Sequence, residues 1–338
     1  MARAPLVADA ELLPESDRLE GFESPRETKV LYGHAAAERT LAEALASGKM
    51  HHAWLVTGTE GIGKATLCYR AARAALARDD ERGMFASGLD IEPGSATARQ
   101  VQALSHPGLV VIRRAYDTKA KRFSASISVD EVRRLRNFLS LSAEAQGWRA
   151  VIVDSADDLN VNAANALLKS LEEPPPRTVF LLVSSAPGRL LATIRSRCRT
   201  LPLQALGLDD LKAAASAALA AAGKPAMNED DYRALEPLAE GSPRRLLALM
   251  EGGGLAYQAK IESFFAALPK FDAGAAHALS DELQPAAQEQ KFELFYELLF
   301  AYLARLIRAG ATGQGSGGDA VAAKRLMGGA KLATFAQL

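Results

Sequence analysis

Cysteine is almost missing from this chain. Among 338 residues there are two, Cys68 and Cys198, far apart and without CxxC partners. Tetrahedral zinc sites need four clustered Cys or His ligands, so no zinc is expected, and neither is a disulfide framework. The adjacent pair His51-His52 is not expected to rescue a metal site, because adjacency is expected to splay its rings instead of converging them on one ion. The two thiols read as buried free cysteines. Long hydrophobic runs are missing as well. No stretch of about 18 apolar residues occurs, which excludes a helical membrane span, and no segment has the pattern of a secretory signal. The third absence is net charge: 40 Lys and Arg stand against 40 Asp and Glu. Without a global basic field, contact with nucleic acid has to be local or made by partner subunits. No internal repeat is visible. The expectation is a soluble cytoplasmic protein of two or three domains.

What the chain does have is an alternation of apolar strands and helical patterns. Residues 1–27 are polar, contain Ser24-Pro25-Arg26-Glu27, and are expected to form a flexible or loosely docked N-terminal arm. Apolar strands are expected at 53–57, 109–113, 149–154 and 178–183, with 200–203 a candidate fifth. Helical patterns at 35–46, 64–78 and 129–139 lie before and between them. Continuous apolar strands alternating with helices imply a parallel sheet covered on both faces. The Gly- and Pro-containing stretch 79–105 reads as an irregular insertion, and Lys119, Lys121 and Arg122 as a solvated loop. Beyond 205 the strand signal stops. Helical patterns at 208–222, 230–240 and 242–250, closed by Gly252-Gly253-Gly254, have the size of a small lid. Further helices follow, one with a broad apolar face at 290–308, and a flexible interruption is expected at 313–318. The helical pattern is still running at Leu338, which leaves open whether the natural chain extends past it.

Three motifs carry chemistry. The strand at 53–57 runs into Gly58-Thr59-Glu60-Gly61-Ile62-Gly63-Lys64 and then a helix, the setting in which backbone N–H groups and a helix N-terminus face a phosphate. An active loop of this kind carries Ser or Thr after the lysine to bind magnesium, but this chain has Ala65. Its hydroxyl stands at Thr66, a shift that turns the side chain by roughly 100 degrees off the metal-facing side. Phosphate binding is retained in this reading and metal-dependent chemistry is impaired. Second, the strand at 149–154 ends in Asp154, where a carboxylate can hold magnesium. Ser155 follows it and cannot act as a carboxylate base. Asp157 and Asp158 read as a solvated turn directed away from the strand tip. Third, Ser196-Arg197-Cys198 presents an arginine whose forked donors suit phosphate oxygens. Alone, such an arginine would be an ordinary solvated charge.

The combination GIGKAT, NALLKSLEEPP, RLLATIRSRC and Gly241-Ser242-Pro243-Arg244 resembles the clamp-loader ATPase superfamily within the AAA+ proteins, clearly over about 31–250 and beyond that by architecture. The resemblance implies an α/β plus all-α chain. It would comprise a RecA-like parallel-sheet P-loop domain at 28–205, a helical lid at 206–254 and a helical collar or oligomerisation domain at 255–338. It implies Gly58, Gly61, Gly63 and Lys64 as Walker A, with Thr66 beside it, and Asp154 as a Walker B remnant. Ser184 or Ser185 falls at sensor 1 and Arg244 at sensor 2. Arg197 would be a finger acting in trans on a neighbour's ATP, with Ser196 and Cys198 as its structural support.

Motor members carry GKT or GKS and Asp-Glu, whereas this chain has GKA and Asp-Ser, which places it with the non-motor members. A four-cysteine zinc module common in the family has no counterpart at 79–105. The resemblance further implies γ/τ and δ partners in a hetero-pentameric ring, and through that ring the sliding β clamp and primer-template DNA. No cofactor is required, and ATP or ADP at the degenerate site stays open. The isolated chain is expected to have little or no ATPase activity. No palm-type carboxylate cluster is present, so polymerase activity would belong to the larger holoenzyme. Two other readings remain at this point: an autonomous AAA+ ATPase, and a subunit that binds ATP without hydrolysing it.

Overall fold

The computed structural model describes residues 14–82, 88–141, 147–268, 270, 272–283, 289–312 and 317–327. It divides into two compact units, one running to Ala226 and including Gly241–Pro243, the other comprising Met227–Glu240 and the chain from Arg244.

In the first unit, helix α1 (Ala35–Ala46) leads to strand β1 (Ala53–Thr57), the glycine-rich loop and helix α2 (Lys64–Leu76). Helix α3 (Ala96–Gln102), strand β2 (Leu109–Arg113), a short hairpin of β3 (Tyr116–Asp117) and β4 (Arg122–Phe123), and helix α4 (Val129–Leu141) follow. Next come β5 (Arg149–Asp154), α5 (Val161–Glu172), β6 (Thr178–Ser184), the single-turn α6 (Ala192–Arg195), β7 (Arg199–Pro202) and α7 (Leu208–Ala221). Five strands form one sheet in the order β2-β5-β6-β1-β7, with every neighbouring pair parallel. The expected fifth strand is therefore present, at the edge beside β1, where Pro202 is tolerated.

Burial explains why the central strands read as unbroken apolar runs. All residues of β1, β5 and β6 are buried, and successive side chains enter opposite layers. Trp54, Val56, Ile152 and Leu181 join α1 and α2 in one core, while Leu55, Val151, Val153, Phe180 and Leu182 join α4 and α5 in the other. The parallel-sheet P-loop architecture expected from the sequence is the one observed.

Three segments of this unit differ from expectation. The arm expected to be flexible or loosely docked over 1–27 is packed from residue 14 onward, with Phe22, Ser24 and Arg26 buried; residues 1–13 lie outside the described residues. Glu15 is clasped by Arg26 at 3.0 Å and Arg113 at 2.9 Å, and Asp17 pairs with Arg113 at 3.3 Å. Burial alone would raise the Glu15 carboxyl, but the hydrogen bonds and charges of Arg113 and Arg26 hold it below its ordinary value. The cause is long-range ion pairing, for which a polar, Pro-containing segment gives no periodic signal.

The stretch 79–105, expected to be an irregular insertion, carries a 3-10 turn at Asp79–Glu81 and the helix α3. Ser95 caps α3 by accepting from the Ala98 amide at 3.1 Å. The buried Glu81 carboxylate accepts from the Thr97 hydroxyl at 2.6 Å and the Thr97 amide at 2.9 Å, and from the Arg78 amide at 3.0 Å. Desolvation pushes the Glu81 pKa up, yet these hydrogen bonds prevail and lower it to about 2. Finally, α7, expected at the start of a lid, belongs to this unit: its Leu211, Ala215 and Leu219 are buried, and Lys224 beyond it lies 4.6 Å over the Phe22 ring.

The second unit is entirely helical among its described residues: α8 (Glu229–Ala239), α9 (Pro243–Glu251), α10 (Gly254–Ala267), α11 (Ala273–Leu283), α12 (Glu289–Thr312) and α13 (Gly317–Met327). The compact units thus do not divide at the lid and collar boundaries read from sequence. Helices α10, α11 and α13 each pack on α12, through pairs such as Tyr257–Phe295 (5.9 Å between centroids) and Phe265–Tyr302 (5.2 Å). Gly252 is needed here, because a Cβ would meet Leu294 Cδ2 at 2.2 Å. One stripe of α12, with Phe292, Tyr296, Phe300 and Ile307, remains exposed. Part of the Gly-rich interruption at 313–318, and the chain end at Leu338, lie outside the described residues.

Candidate phosphate-loop site and arginine finger

The loop leaving β1 is shaped by its glycines. Gly58 and Gly63 have φ of 142° and 107°, and a Cβ would meet the Leu203 carbonyl oxygen at 2.5 Å at the first and Leu31 Cδ1 at 2.6 Å at the second. Gly61 also has positive φ. At the head of α2, Lys64 is buried and turned onto its own loop. Its Nζ donates to the Gly58 carbonyl at 2.8 Å, the Thr59 carbonyl at 2.5 Å and Ser185 Oγ at 2.9 Å, which engages all three ammonium hydrogens. Desolvation lowers the Lys64 pKa, while Glu60, Asp154 and Asp157 oppose that shift. Thr66 is buried within α2, one residue past the place where a metal-binding hydroxyl is needed.

Across the sheet edge, Asp154 ends β5, is buried, and contributes its negative field to Lys64. Asp157, read from sequence as a solvated turn residue directed away from the strand tip, is instead the knot of this region. A 3-10 turn over Ala156–Asp158 folds it back beneath the end of β6. There it accepts from Ser184 Oγ at 2.6 Å, the Ser185 amide at 2.6 Å, the Ala186 amide at 3.2 Å and Ser155 Oγ at 3.1 Å. So the two serines at the end of β6, either of which was expected at sensor 1, split their work: Ser184 meets Asp157 and Ser185 meets Lys64. A short polar residue three places past a strand end, able to satisfy backbone amides, was the available signal. Asp158 pairs with Arg114 at 3.1 Å; its pKa is raised by desolvation and by its neighbour Asp157.

From Ala186 the chain makes a 3-10 turn at Pro187–Arg189, then the single turn α6, which delivers Ser196-Arg197-Cys198. Ile194 and the half-buried Cys198 root the segment in the α4/α5 core, and burial pushes the Cys198 thiol up to about 11. Ser196 Oγ donates to the Thr193 carbonyl at 3.1 Å. The Arg197 guanidinium stays partly exposed, with Nη1 on the Thr193 carbonyl at 2.9 Å and Nη2 on Glu172 Oε1 at 2.7 Å. Arg244 lies in α9, in the second unit.

The first unit thus holds a glycine-rich loop whose lysine is engaged by its own chain, a strand-end carboxylate followed by Ser155, and a half-exposed arginine on a rooted turn. The His51 and His52 rings, expected to splay apart, instead stack with centroids 4.4 Å apart. Among the described residues no group of three or more His, Cys, Asp or Glu is placed to hold a metal ion, and no helix is long and apolar enough to cross a membrane.

A parallel five-stranded sheet with a glycine-rich loop between β1 and α2 defines a RecA-like P-loop protein of the AAA+ type. Within that class the chain belongs to the family described as "DNA polymerase III, delta subunit", whose profile matches residues 33–207. It is 40% identical over 149 residues to the DNA polymerase III subunit δ′ of Pseudomonas aeruginosa, covering 44% of this chain and 41% of that one. It is 33% identical over 212 residues to the subunit δ′ of Escherichia coli, covering 63% and 58%. The DNA polymerase III subunit τ of Escherichia coli is 31% identical over 180 residues, 51% of this chain and 24% of its own length. The matches to the two δ′ subunits thus span about half of those relatives' lengths.

Proposed function

We propose that this chain is a δ′-type, non-motor subunit of a bacterial DNA polymerase III clamp loader, and that its Arg197 completes the ATP site of a neighbouring motor subunit. The observation that carries this reading is the placement of Arg197: a partly exposed guanidinium on a turn rooted in the core, with two of its five N–H donors engaged by its own chain. A guanidinium so presented matches the planar donor geometry that phosphoryl transfer recruits across subunit boundaries.

In this reading the chain's own site does no chemistry. Ala65 and Ser155 remove the metal-binding hydroxyl and the base, and Lys64 is satisfied by carbonyls and Ser185. Any ATP or ADP bound there would have to draw Lys64 off those partners. The working assembly would be a hetero-pentameric ring with γ/τ and δ partners, opening the sliding β clamp and placing it on primer-template DNA in the cytoplasm. The second unit would supply the collar, and Arg244 a sensor-2 contact. The test is DNA- and clamp-stimulated ATP hydrolysis by the reconstituted loader with wild-type chain or Arg197→Ala. A loss of about tenfold or more with assembly intact is expected; unchanged hydrolysis would sink the finger role.

A further inference from the structure

We propose that Glu172 is the positioning residue of Arg197, holding its guanidinium in place before a nucleotide arrives. This rests on the finger reading above. Glu172 closes helix α5, and its Oε1 accepts from Arg197 Nη2 at 2.7 Å while the Thr193 carbonyl takes Nη1 at 2.9 Å. Two fixed points define the plane of a guanidinium. Nε–H and the second hydrogen of each Nη remain for an incoming anion.

Neither fold stability nor helix stability accounts for a carboxylate at this place. The pair is half in water, with side-chain exposures of 33% for Arg197 and 47% for Glu172, and ion pairs so exposed add little to folding. At the C-terminal turn of a helix a negative charge also opposes the macrodipole, so Glu172 is unfavourable for α5 itself. The effect left to it is on the arginine. A free Arg side chain has rotamer entropy to lose when it engages a phosphate, and ordering it beforehand removes part of that cost from the reaction. The carboxylate can do this without consuming the outward donors. The backbone beneath is also fixed, since Asp157 holds the start of the segment and Ile194 and Cys198 root its end.

The experiment is ATP turnover by the full loader reconstituted with wild-type chain, Glu172→Gln, Glu172→Ala, Arg197→Ala and Glu172→Ala/Arg197→Ala, with ring assembly checked by size-exclusion chromatography. Glu172→Ala is expected to lower kcat about fivefold with KM for ATP nearly unchanged, and Glu172→Gln, which keeps an acceptor, to fall between it and wild type. The double variant should be no slower than Arg197→Ala alone, because Glu172 acts through the arginine. Two results overturn the proposal: Glu172→Ala turning over at the wild-type rate while Arg197→Ala is slow, or Glu172→Ala slowing the Arg197→Ala ring further. If Arg197→Ala itself leaves turnover unchanged, the finger reading fails first, and Glu172 with it.

Discussion

Lys64 and Arg197 are two cations suited to phosphate in the same unit, and their surroundings are opposite. Lys64 is buried and its ammonium is met by two loop carbonyls and a serine hydroxyl. Arg197 stands on a turn at the surface and gives two of its donors to its own chain. The difference is one of desolvation and supply. A buried ammonium must be satisfied from within, and here the loop itself does so. A half-exposed guanidinium can be oriented while donors are left over. The pair teaches that what a phosphate-binding motif can still do is decided by which acceptors already face its cation.

Asp157 connects the two regions, since it ties Ser184 and Ser185 near Lys64 to the start of the segment that carries Arg197. Breaking it should have the largest effect. Asp157→Ala is expected to cost about 2–3 kcal/mol in urea unfolding of the chain, because two amides and two hydroxyls lose a charged acceptor. A cost under ~0.5 kcal/mol, the size of an ordinary surface substitution, would mean the knot does not hold the strand ends together. Next is Arg197→Lys, which keeps the charge and loses the fork. Turnover of the reconstituted loader should still fall about tenfold, or 1.4 kcal/mol in barrier; full activity would show that charge alone suffices.

A control outside both regions is Glu81→Gln, expected to cost roughly 1–2 kcal/mol near neutral pH. The Glu81 carboxyl is held at about 2 in the folded chain against an ordinary value of 4.5. Its stabilisation is therefore complete above about pH 4.5 and is lost as pH falls toward 2. Unfolding free energies of the two chains should converge over that window, and a pH-independent gap would contradict the assignment. The smallest effect is expected from Lys64→Met. Because burial lowers the Lys64 pKa below 10.5, the unfolded chain binds more protons there. The wild type should gain on the variant as pH rises toward 10.5, by less than ~1 kcal/mol. Thermal melts of either chain should barely respond to ATP; a clear ATP shift in wild type alone would revive the nucleotide-binding reading.

The central sheet was legible because its signal is local. Strands at 53–57, 109–113 and 149–154 coincide with the observed ones; for the first and third, burial on both faces demands unbroken apolar runs, and the edge strand 109–113 keeps such a run while only partly buried. The glycine-rich loop and Ser196-Arg197-Cys198 were legible as motifs. What sequence did not reveal depends on partners distant in the chain. Asp157 meets residues 27 to 29 positions away, and Glu81 meets Thr97. Polar side chains that satisfy buried amides look, residue by residue, like any solvated turn. Glu172 was visible inside its motif, but its service to Arg197 depends on the turn after β6 bringing α6 back against α5.

The clasp around Glu15 has a consequence in time. Its partner Arg113 lies 98 residues further along the chain. At a synthesis rate of roughly 5–20 residues per second, Arg113 follows Glu15 into being by about 5–20 seconds. Among the described residues, the first to be made must therefore wait, undocked, until the edge strand exists to receive them.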